Sequence, residues 1–227
     1  MPFQIQHTQF RGQPVITLLS GDGARAVVSP FGGQVLSWAP ANGLEQLFLS
    51  DAAVFDGRTP IRGGIPVCFP QFSKLGKLPQ HGFAQDAMWE VVDSRGGDDF
   101  ALVTLRLTDD ERTFALWPSS FELELTVAIG GERLDVELEV ANTGHAPFAF
   151  TAALHTYLLV SEVENVRLEG LNGHDYRDAA DNDAIKRDTG DVLVVDDEVN
   201  RVYHDVGRAL LLRDGSRSLG IHGEGFP

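Results

Sequence analysis

One cysteine, Cys68, stands in the 227 residues, which excludes an intramolecular disulfide and any site of four thiolates. Basic residues are also few: 18 Lys and Arg against 33 Asp and Glu give a formal net charge of -15. A chain of that sign repels phosphate backbones and anionic lipid, so nucleic acid and membrane surfaces are not expected partners. An anionic ligand would need a local basic pocket. Long apolar runs are missing as well; nothing approaches the roughly 20 residues of a membrane span, and MPFQIQHTQF has no basic segment leading into an apolar one. These absences point to a soluble protein of the reducing cytoplasm. No segment carries a long apolar stripe of helical period, so alternating βα units are not expected. GDGA at Gly21–Ala24 lacks the third glycine of a dinucleotide fingerprint, and no Walker sequence occurs.

What is present is period-two alternation. In FELELTVAIG, Phe121, Leu123, Leu125, Val127 and Ile129 share one face, and after Gly130-Gly131 the residues Leu134, Val136, Leu138 and Val140 repeat the pattern. This is a hairpin with one buried face. Further strands are expected at 15–18, 26–28, 34–37, 88–92, 101–107, 148–154, 165–169, 192–195, 209–213 and 218–222, separated by Gly, Asp, Asn and Pro. The class is all-β, a large antiparallel β-sandwich, read as a single domain over residues 1–227.

Two segments break the pattern. The stretch 175–198 is dense in carboxylates and reads as a solvated loop; DNDAIKRDTGD lacks the glycine and final glutamate of an EF-hand. The stretch TPIRGGIPVCFPQFSKLGKLPQHGFAQ, Thr59 to Gln85, holds four prolines, too many for a core strand. Its apolar anchors Ile61, Ile65, Val67, Phe69, Phe72 and Phe83 mark it as a shaped loop rather than a linker. Among seven histidines, His81 sits between proline and glycine beside those anchors. His155 ends the apolar run PFAFTAALHTYLLV, read as a buried strand that delivers an imidazole to its rim.

PIRGGIPVCFPQF, LPQHGFA, ALHTYLLV followed by GLNGHDYRD, and EVNRVY resemble, in order and spacing, the hexose-6-phosphate mutarotase branch of the aldose 1-epimerase family. The resemblance implies a sandwich of the galactose-mutarotase type. It also implies a hexose or hexose 6-phosphate as the small-molecule partner and no metal or organic cofactor; a monomer is expected. The reaction it implies interconverts α and β anomers: a base takes the C1 hydroxyl proton while an acid protonates the ring oxygen. By resemblance His155 is the general acid and His81 orients hydroxyls. Arg62 grips phosphate with its planar fork of donors, and Gln80 contributes an amide.

The chain departs from the family at three places. Gln85 stands where relatives carry arginine, with Lys74 and Lys77 nearby as flexible substitutes. Asn200 replaces an aspartate but keeps a hydrogen bond for a sugar hydroxyl. The base glutamate and a WNP-like motif have no counterpart, so the domain reads as incomplete at its C-terminus. A carbohydrate-binding protein without turnover is the alternative, and a metal-dependent cupin-like protein is a third reading that lacks the expected His-x-His pair.

Overall fold

Alternating sequence becomes strand where one face can be buried. The computed structural model describes residues 3–225, and among these β1 (Gln4–Phe10), β2 (Gln13–Leu19), β3 (Arg25–Ser29) and β4 (Gln34–Ala39) pair antiparallel in chain order. β5 (Val67–Cys68) is followed by β6 (Glu90–Gly96), β7 (Ala101–Thr108), a one-turn-plus helix α1 (Glu111–Leu116), β8 (Phe121–Gly130) and β9 (Arg133–Asn142). β6 to β9 make a second four-stranded antiparallel sheet, and β10 (Ala153–Leu154) pairs with β5. The antiparallel all-β sandwich expected from alternation is what forms.

The predicted hairpin is present. Leu125 lies opposite Leu138 and Val127 opposite Val136, and every second residue of β8 from Phe121 to Ile129 is buried. Each such leucine or valine contributes roughly 1.5–3 kcal/mol when withdrawn from water. Ile16, Leu18, Ala26 and Val28 fill the corresponding places in β2 and β3. Helix α1 begins at Asp110, whose carboxylate accepts from Thr113 N (2.7 Å) while Thr113 Oγ1 accepts from Asp110 N (2.8 Å), a reciprocal cap.

These elements belong to the first of two compact units, which divide between Leu159 and Val160. The second unit contains β11 (Arg167–Glu169), β12 (Asp175–Asp178), β13 (Ala184–Arg187), β14 (Val192–Val194), β15 (Arg201–Tyr203), β16 (Leu210–Asp214) and β17 (Arg217–Ile221). They form sheets of order β14-β11-β16-β17 and β13-β12-β15. Among the described residues no helix is long and apolar enough to cross a membrane.

Three sequence expectations change. The acidic stretch is not only loop: β12 and β13 form a hairpin inside it. Tyr176 is buried beneath the Arg201 guanidinium, 4.5 Å from its ring, and Lys186 bridges Asp178 at 2.8 Å. Charge pairing and one aromatic do there what apolar alternation does elsewhere. The polar strand β1 was not expected; it is an outer strand of its sheet and hydrogen-bonds to β2 along its whole length.

The run 148–154 is not a continuous buried strand. Thr151 N, His155 N and Tyr157 N donate to Pro70 O, Pro66 O and Gly64 O, a ladder against the 64–70 segment. Pro66 and Pro70 have no N–H to donate back, so only Ala153 and Leu154 pair in both directions, with Cys68 and Val67. Phe150 remains 41% exposed.

Candidate active site

The proline-rich stretch is the irregular loop its composition predicts, apart from β5 and a short 3-10 turn at Ala84–Asp86. Its path is fixed by close backbone approaches. Gly64 (φ 62°) lies against Val35 O and Gly82 (φ 74°) against Phe69 O, where a Cβ would collide with backbone. Phe69 is fully buried among Phe83, Trp117, Phe121 and Phe150, with ring centroids 5.3–6.3 Å away. The buried Gln71 staples the loop from inside. Its Nε2 donates to Ser73 O (3.1 Å) and Leu78 O (3.2 Å), and its Oε1 accepts from Leu78 N (3.0 Å).

His81 is held at the end of that loop with φ 68°, a left-handed conformation that costs a non-glycine residue about 1–2 kcal/mol. Two backbone bonds hold it there, His81 N to Ser73 O (3.0 Å) and Phe69 N to His81 O (3.2 Å). Its Nδ1 accepts from Ser73 N (3.2 Å) and lies 3.3 Å from Cys68 Sγ. Because an amide N–H can only donate, Nδ1 carries the lone pair and the ring proton sits on Nε2; the Gln80 amide, whose nitrogen end lies 3.3 Å from Nε2, must turn its oxygen to accept that proton. Burial, together with the neighbouring His155 ring, pushes the His81 pKa below its ordinary value.

His155 follows β10 directly, and Pro66 O fixes its backbone. Its ring stacks on Tyr157 (4.8 Å, 21°) and lies 5.5 Å from the His81 ring. Burial lowers its pKa too. The two histidines singled out in the sequence thus converge from segments more than seventy residues apart, joined by the β5–β10 pairing.

The other candidates are distributed unevenly. Gln80 is exposed beside His81, while Gln85 is half-buried and donates from Nε2 to Gln80 O (3.1 Å), bracing the same turn. Arg62 is exposed, and among the described residues its side chain makes no ion pair; its carbonyl accepts from Ser50 N. Lys74 and Lys77 are exposed. Asn200 lies in the second unit, exposed, with its carbonyl accepting from Ala179 N (2.8 Å). Sequence reasoning missed Cys68, Gln71 and Tyr157 as neighbours of the site. Cys68 and Gln71 stand inside PIRGGIPVCFPQF itself, and Tyr157 is two residues beyond His155.

With this geometry established, comparison with known proteins is informative. The family model described as "Aldose 1-epimerase" matches residues 14–225. A Cenchrus ciliaris protein named "Putative glucose-6-phosphate 1-epimerase" is 41% identical over 181 residues, covering 76% of this chain and 55% of its own length. An Escherichia coli protein of the same name is 34% identical over 174 residues, covering 76% of this chain and 57% of its own. The chain therefore spans little more than half the length of these curated relatives.

A solved Salmonella typhimurium structure described as a "putative mutarotase" superposes with TM-score 0.85 at 28% identity, covering 94% of this chain and 70% of that one. A galactose 1-epimerase from Lactobacillus acidophilus shares the fold at TM-score 0.67 and 15% identity, covering 94% and 77%. The β-sandwich is of the galactose-mutarotase type, and the chain belongs to the aldose 1-epimerase family.

Proposed function

We propose that the chain binds a hexose or hexose 6-phosphate and interconverts its α and β anomers. The observation that carries this reading is the pair of partly buried imidazoles with ring centroids 5.5 Å apart, His81 on the loop that Gln71 fixes and His155 just after β10. In this reading His155, in its protonated form, gives a proton to the ring oxygen as the C1–O5 bond breaks. The C1 hydroxyl proton passes to a water molecule at the same time, and the open aldehyde forms. Rotation about C1–C2 and reclosure return the other anomer, with both proton transfers reversed. His81 does a different job. Its Nδ1 is occupied by the Ser73 amide, so it offers Nε2–H as a fixed donor to a sugar hydroxyl.

In this reading Arg62, exposed and without an ion pair among the described residues, is the cation for a 6-phosphate, with Gln80 as a hydroxyl partner and Lys74 or Lys77 in support. Gln85, tied to the Gln80 carbonyl, braces the turn and so has a structural use that needs no charge. The reading keeps a monomer in the cytoplasm, where the free thiol of Cys68 stays reduced.

Exchange NMR on the anomeric protons of glucose, galactose and their 6-phosphates, run with a chelator present, tests this. Acceleration over buffer is expected for at least one of them. Because burial lowers the His155 pKa, the acid form is depleted as pH rises, so kcat/KM should fall with a midpoint below 6.5. No acceleration for any of the four sugars would overturn the reading.

A further inference from the structure

The reaction just described has no use for a thiol, yet one is placed against both imidazoles. Cys68 is fully buried in β5, its Sγ 3.3 Å from His81 Nδ1. One ligand atom each from Cys68, His81 and His155 all lie within 4.8 Å of one another. Zinc–sulfur and zinc–imidazole bonds of ordinary length, set at a tetrahedral angle, separate sulfur from nitrogen by about 3.6 Å. The Cys68–His81 edge is therefore already close to that of a metal site, and the edges to His155, no longer than 4.8 Å, must shorten on binding.

The donor set also selects the ion. One sulfur and two imidazole nitrogens suit a borderline-soft divalent cation, and no carboxylate joins the trio among the described residues to favour calcium or magnesium. Three protein ligands leave a fourth position for water or a sugar hydroxyl, as in open zinc sites. The net charge of -15 raises the local concentration of any cation around the protein.

We propose that Cys68, His81 and His155 form a binding site for a zinc-class divalent cation, and that the bound ion inhibits the protein by occupying the His155 imidazole. On binding, the Cys68 S–H bond breaks, its proton leaves to solvent, and the sulfur pair becomes a metal bond with no change of oxidation state. His81 Nδ1 exchanges the Ser73 amide bond for the metal. The inhibition rests on the epimerase reading; the binding does not.

Cobalt(II) added to chelator-treated protein tests the binding. The expected result is one ion per chain with a thiolate-to-cobalt charge-transfer band in the near ultraviolet. Cys68→Ser and Cys68→Ala should abolish that band, and His155→Gln should weaken zinc affinity at least tenfold by calorimetry, with circular dichroism confirming that each variant is folded. Absence of the band, or zinc affinity unchanged in folded Cys68→Ala and His155→Gln, would overturn the site. One equivalent of zinc should suppress anomer exchange, and Cys68→Ala should need at least tenfold more. A protein that shows the band but never accelerates exchange would retain the metal site and lose the epimerase reading, which keeps the two failures distinct.

Discussion

The β6–β9 sheet and the Thr59–Gln85 loop show two ways of specifying structure in one chain. In β8 every second side chain is buried, and the pattern repeats so regularly that register follows from the sequence. In the loop nothing repeats. Its shape comes from single groups: glycines against carbonyls, prolines that withhold N–H donors, and one buried glutamine amide serving three partners. The sheet is stabilised by area, which is redundant. The loop is held by individual contacts, each with few substitutes. The candidate site sits where the second kind of structure meets a short pairing: His81 ends the loop, and the β5–β10 ladder brings His155 beside it.

That contrast can be broken by substitution, beginning with the sheet. Leu125→Ala removes a fully buried side chain in the middle of β8 and should cost about 2–5 kcal/mol in denaturant or thermal unfolding. At temperatures where the variant is still folded, the environment of His81 and His155 should be unchanged by imidazole NMR. Gln71→Ala should show the reverse. It leaves the Leu78 amide and carbonyl without their partner, a cost of about 1–3 kcal/mol, and the histidine resonances should move. If Leu125→Ala disturbs the histidines as much as Gln71→Ala does, the two regions are not separately specified.

The same contrast explains what could be read from the sequence. The β7, β8 and β9 strands were legible because area follows periodicity. β1 was not, since QIQHTQF carries few apolar residues and owes its place to backbone pairing with β2. The β12–β13 hairpin was hidden because its stabilising contacts, Lys186 with Asp178 and Tyr176 under Arg201, leave no periodic trace. The run 148–154 has a sequence that permits a full strand; the limit lies in its partner, whose Pro66 and Pro70 cannot donate. His81 and His155 were found from local context and from the family resemblance. Their convergence with Cys68 was not visible, because it depends on the β5–β10 pairing of only two residues on each side.

The central claim is that the loop exists to set His81 beside His155 for proton transfer to a sugar. Anomer exchange by NMR in His155→Gln, at a pH near the wild-type optimum and with chelator present, tests it most directly. The account predicts a loss of about 10²- to 10⁴-fold with the melting temperature little changed. Exchange as fast as in the unaltered chain, from a variant with the same stability, would contradict it.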